Sequence, residues 1–102
     1  MNSREKGKRG ELELARILRE NGFIARRGVQ YHGGADSPDV IGIDGFHIEV
    51  KRVEKLNLTE AYEQSFRDAG EGEKPIVVHR RNREPWMVTM TLENFLKLLK
   101  GR

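Results

Sequence analysis

Asp39, Glu49 and Lys51 are the residues of this chain whose types and spacing best suit them to do chemistry. In the run Phe46-His47-Ile48-Glu49-Val50-Lys51, polar and apolar residues alternate, so a strand carries His47, Glu49 and Lys51 on one face. Whether Asp39 joins them depends on the turn at Asp44-Gly45. A two-residue turn pairs Ile43 with Phe46 and puts Asp39 opposite Val50, on the other face. A three-residue turn with Gly45 in the left-handed region pairs Gly42 with Phe46 and sets Asp39 opposite Glu49. The second register, or a bulge with the same effect, is the one expected. Two adjacent carboxylates repel, and they are stable together when one is protonated or a cation lies between them. Hard oxygen donors suit Mg²⁺ or Mn²⁺. The Lys51 ammonium would then stabilise developing negative charge or orient an attacking water. The bland alternative is a strand-capping Asp39 and a solvated Glu49–Lys51 ion pair.

A third acid stands out by its place on a helix. At about 100° per residue, Leu14, Ala15 and Leu18 lie within roughly 60° of Glu11, whereas Glu13 and Glu20 fall on the far side. Glu11 therefore shares the apolar stripe, and Glu13 and Glu20 are expected in solvent. A buried carboxylate needs a partner, a cation or a proton. Stabilisation by the helix N-terminus is the alternative.

These groups need a scaffold. The 102 residues suit one domain, 1–102. Lys and Arg number 19 against 16 Asp and Glu, for a formal charge of +3, and the apolar share of 36% implies a thin core. The absence of cysteine excludes disulfide staples, thiolate zinc sites, iron–sulfur clusters and cysteine nucleophiles. No apolar run approaches the about 20 residues of a membrane span, and the charged N-terminus lacks a secretory pattern. The expectation is a soluble cytoplasmic protein with no membrane partner. Periodicity predicts a helix over 11–21, starting either near Ser3 or near Lys8, because Gly7 and Gly10 weaken the early start. Strands are expected at 23–27, 39–43 and 46–53, and a helix from the Asn57 cap to near Gly70. Strands at 76–79 and 86–90 follow, then a helix between Thr91 and Gly101. The order α-β-β-β-α-β-β-α describes an α/β fold, a mixed β-sheet flanked by helices. Leu92, Phe95, Leu96 and Leu99 on the last helix suit either core packing or an interface.

Pro38-Asp39, nine intervening residues and Glu49-Val50-Lys51 resemble the motif of the PD-(D/E)xK nuclease superfamily. The element order resembles its restriction-endonuclease-like core. More narrowly, Lys6-Gly7 ahead of Glu11, the run from Leu14 to Phe23, and Ile48-Glu49-Val50-Lys51 are similar to archaeal Holliday junction resolvases and their phage-borne relatives. The likeness covers most of residues 6–79. It implies a divalent-metal-dependent endodeoxyribonuclease acting on branched DNA, above all a four-way junction. It implies that Asp39 and Glu49 hold the Mg²⁺ or Mn²⁺, with the main-chain carbonyl of Val50 as a further ligand. Lys51 would assist the nucleophilic water and Glu11 would complete the site. Those resolvases carry a serine-bearing loop before the aspartate, for which Ser37 is the candidate. Gln64 is the candidate for a glutamine on the next helix, although it lies off the apolar stripe and equally suits a solvated surface. Resolving a junction takes two nicks, so a homodimer is expected. The rivals are a nickase or a flap or duplex nuclease of the same superfamily, and a non-catalytic DNA-binding module.

The cations expected to hold DNA phosphates are Lys6, Lys8, Arg9, Arg26, Arg27, Arg80, Arg81 and Arg83. Trp86 offers either a stacking face or a core residue. Tyr31 and His32 precede Gly33-Gly34 and could close over a substrate, or lie in an ordinary surface loop. His47 shares the Glu49 face and could lie at the rim of the site, but sheet packing or exposure is its expected role.

Overall fold

The computed structural model describes residues 3–28 and 38–101. Ser37, His32 and Tyr31 lie outside the described residues. The elements are α1 (Ser3–Glu20), β1 (Arg26–Arg27), β2 (Val40–Ile41), β3 (Phe46–Arg52), α2 (Leu58–Asp68), β4 (Lys74–Arg80), β5 (Met87–Thr89) and α3 (Leu92–Lys100). This is the expected order. The five strands form one sheet in the order β1-β2-β3-β4-β5, with β3 and β4 parallel and every other neighbouring pair antiparallel. The parallel step needs a crossover, and α2 supplies it. Asn57 opens α2: its Oδ1 accepts the Glu60 N–H at 3.1 Å, and its side-chain amide donates back to the Glu60 carboxylate at 3.3 Å.

Strand alternation gives the sheet two buried faces, each covered by a helix. Ile48 and Val50 of β3 and Ile76 and Val78 of β4 join Leu14 and Ala15 of α1, Ala25 and Val40 in the main core. The intervening residues His47, Glu49 and Val77 point to the other face, which α2 covers with Ala61 and Ser65. The Ser65 hydroxyl, 0% exposed, shares its one proton between the carbonyls of His47 and Ile76, each at 3.1 Å, and ties α2 to the two central strands.

Of the two starts expected for α1, the structure has the earlier, at Ser3, ahead of its two glycines. At Gly10 the missing side chain is the reason for the residue: a Cβ there would stand 2.7 Å from Arg52 Cβ, so glycine lets α1 lie directly on β3. Two expectations are corrected. First, β1 and β2 shrink to two residues each. Second, Glu13 does not face solvent. It accepts hydrogen bonds from Arg80 Nη1 at 2.8 Å and Trp86 Nε1 at 2.9 Å. Glu20 is exposed as expected. Among the described residues no helix is long and apolar enough to cross a membrane.

Candidate active site

The hairpin decides the site. Gly45 has φ +86°, the left-handed conformation required by the three-residue turn, and Val40 pairs with Ile48. Asp39, immediately before that pair, brings its carboxylate beside that of Glu49. The Asp39 N–H donates to the Ile48 carbonyl at 2.9 Å, and Asp39 Oδ2 accepts the Val50 N–H at 2.8 Å. A residue's N–H and C=O point the same way in a strand, so the Val50 carbonyl is directed to the side on which Asp39 lies.

Glu49 is 2% exposed. Burial raises its pKa most, the Asp39 carboxylate beside it raises it further, and Asp68 on α2 adds a smaller push in the same direction. Lys51 opposes them, and the balance leaves Glu49 pushed up to about 8. Glu11 reaches the same neighbourhood from α1. Burial and Asp39 raise its pKa, while the Arg27 guanidinium and Lys51 pull it down. Arg27 Nε donates to Glu11 Oε1 at 2.8 Å. Asp39, Glu49, Glu11 and Lys51 thus form one electrostatic cluster drawn from α1, the end of β2 and β3.

This donor set fits a hard divalent cation. Two neighbouring carboxylates, one of them kept protonated by its burial and by the other's charge, lower their energy together when a cation replaces the proton. A second grouping overlaps the first: His47, Glu49 and Asp68 each bring one ligand atom to within 4.8 Å of the others. His47 is therefore no rim residue. It is 1% exposed, and its Nε2 lies 3.1 Å from Glu49 Oε1. The period-two spacing of His47 and Glu49 signalled their shared face, but only α2 closing over that face determines the bond.

The cations proposed for DNA separate into groups. Arg27 is spent on Glu11, and Arg80 ties β4 to α1 through Glu13. Lys6 pairs with Glu54 at 3.6 Å, and Arg81 with Glu84 at 3.6 Å. Lys8, Arg9, Arg26 and Arg83 are exposed. Trp86 is partly buried against the core. Gln64 is half-buried on α2. A cavity of about 610 Å³ is lined by Lys55, Leu56, His79, Arg81 and Met87 among others, and by none of the four clustered groups. An extended polyanion is met by an open surface, so the chemistry need not lie in that hollow.

The family model described as archaeal Holliday junction resolvase (hjc) matches residues 2–97. Among solved structures, the chain is similar to Archaeoglobus fulgidus Hjc, a Holliday junction resolvase from an archaeal hyperthermophile. The two are 27% identical with a TM-score of 0.64, over 82% of this chain and 76% of that one. No curated protein sequence matches the chain.

Proposed function

The chain belongs to the archaeal Holliday junction resolvase family, and on that premise we propose that it is a resolvase, an endonuclease that hydrolyses phosphodiester bonds in four-way DNA junctions with the help of Mg²⁺ or Mn²⁺. The observation that carries this reading is the hairpin that brings the Asp39 carboxylate beside that of Glu49, with Lys51 next on the Glu49 face. Asp39, Glu49 and the Val50 carbonyl would hold the divalent ion, which when bound would supply Lewis acidity at the scissile phosphate and lower the pKa of its water. Lys51 stabilises the negative charge that builds on the phosphorus oxygens. Glu11, kept in place by Arg27, closes the acidic cluster from the α1 side and orients the attacking water. The exposed cations Lys8, Arg9, Arg26 and Arg83, with Arg81, hold the flanking phosphates. Each phosphate they neutralise adds about −0.9 to the log–log salt slope of binding to duplex arms. The working unit is a homodimer, because resolution takes one cut on each of two strands.

Junction binding in chelator and cleavage with Mg²⁺ are the two measurements that test this. Glu49→Ala and Lys51→Ala should bind a four-way junction normally and cut it at rates lower by about two to three orders of magnitude. Cleavage at the original rate in both variants rules the mechanism out. Flap, duplex and single-stranded DNA run in parallel separate a resolvase from a nickase or flap nuclease.

A further inference from the structure

We propose that His47 is a positioning residue for Glu49: its imidazole holds one oxygen of that carboxyl group and so fixes the orientation in which the other is offered to the cation. This rests on reading Asp39 and Glu49 as the cation-binding pair.

His47 is among the largest fully buried side chains of the molecule, at 1% exposure. A buried imidazole must place its polar nitrogens against partners. Nε2 lies 3.1 Å from Glu49 Oε1. Nδ1 faces Glu73 Oε1 at 3.8 Å, beyond hydrogen-bond length, and that oxygen accepts the Gly70 N–H. One face of the ring's hydrogen-bonding edge thus meets the reactive cluster, and the other meets the turn that connects α2 to β4. The ring has little freedom to leave this arrangement. Ser65 fastens α2 to the His47 carbonyl from above, and β3 lies between β2 and β4 in the sheet. Sheet packing alone explains a buried apolar residue here but gives no reason for an imidazole aimed at the neighbouring acid.

A glutamate has several rotatable bonds, and an unheld carboxylate must be ordered when an ion arrives. A carboxylate already hydrogen-bonded on one oxygen avoids that cost, and loss of such an outer partner typically weakens metal affinity or activity about 10–100-fold. The rival for His47 is direct ligation in the company of Asp68, since all three groups lie close together. The two arrangements place the nitrogen differently with respect to the ion, which makes them separable.

The test is Mn²⁺ binding measured by electron paramagnetic resonance on the full chain without DNA, alongside junction binding in chelator. His47→Leu keeps the bulk and removes the donor. His47→Gln keeps an N–H donor near the position of Nε2. His47→Leu should weaken Mn²⁺ binding about 10–100-fold with junction binding unchanged, and His47→Gln should recover most of the loss. Pulsed spectra of the wild-type Mn²⁺ complex should show no directly coordinated nitrogen. The proposal is overturned by unchanged Mn²⁺ affinity in His47→Leu, by equal losses in the Leu and Gln variants, or by a coordinated nitrogen in the wild type. The wild-type spectrum decides even if His47→Leu does not fold. Glu49→Gln serves as the control. Wild-type Mn²⁺ affinity in Glu49→Gln removes the cation-site reading itself, whereas loss there with none in His47→Leu removes the role of His47 alone.

Discussion

Glu49 is the residue on which charge, burial and pH meet. With its pKa at about 8 in the folded chain against an ordinary 4.5, it keeps its proton when the unfolded chain has lost it. The folded state then binds more protons than the unfolded state throughout that interval, so stability falls as pH rises from 4.5 to about 8 and levels off above it. Glu11, also raised, adds a slope of the same sign. In chelator, the melting temperature should therefore decline across this window, and Glu49→Gln should flatten most of the decline. A Glu49→Gln profile parallel to the wild type would mean that the carboxyl group is not strained in this way. The addition of Mg²⁺ or Mn²⁺ should likewise raise the melting temperature most at the alkaline end. The residues behind this behaviour were largely legible in the sequence. Gly45 pointed to the register, alternation put Glu49 and Lys51 together, and the helical wheel turned Glu11 inward. Glu13 was illegible for a physical reason: its partners Arg80 and Trp86 are 67 and 73 positions away, and a local period carries no information about them.

At the scale of elements, α1 shows how tertiary contact overrides local preference. Its two early glycines lower the propensity for helix, yet they differ in surroundings. A Cβ at Gly7 meets nothing within 4 Å, while one at Gly10 meets Arg52 Cβ at 2.7 Å. Gly7→Ala should therefore gain up to about 1 kcal/mol from propensity alone. Gly10→Ala gains the same amount and loses about 1–3 kcal/mol to overpacking against a backbone-anchored atom, for a net loss. Opposite shifts of the urea midpoint would bear this out, and a stabilised Gly10→Ala would show that the α1–β3 contact is looser than described. The brevity of β1 and β2 was also beyond local reading. The apolar stretches around Phe23 and Ile41 look like longer strands, but Phe23 is 51% and Ile24 83% exposed, so little apolar contact rewards extending the pair.

For the whole molecule, α3 poses the question of association. It is amphipathic as its sequence suggests, but it buries none of its residues. Leu92, Phe95, Leu96, Leu98 and Leu99 are 37–70% exposed, and Met87 and Val88 of neighbouring β5 are exposed as well. Core packing is thus not the reason for that stripe, and the homodimer proposed above would place a second copy of the chain on it. Leu96→Glu combined with Leu99→Glu should convert a dimer to monomers in light scattering. It should also turn linearisation of a cruciform plasmid into single nicking. A dimer that survives both changes would place the contact elsewhere. The segment leading into β5 is also tied to α1, through the indole N–H of Trp86 on Glu13. As the chain has one tryptophan, that bond makes its emission a built-in, label-free gauge of whether the first helix is seated on the sheet.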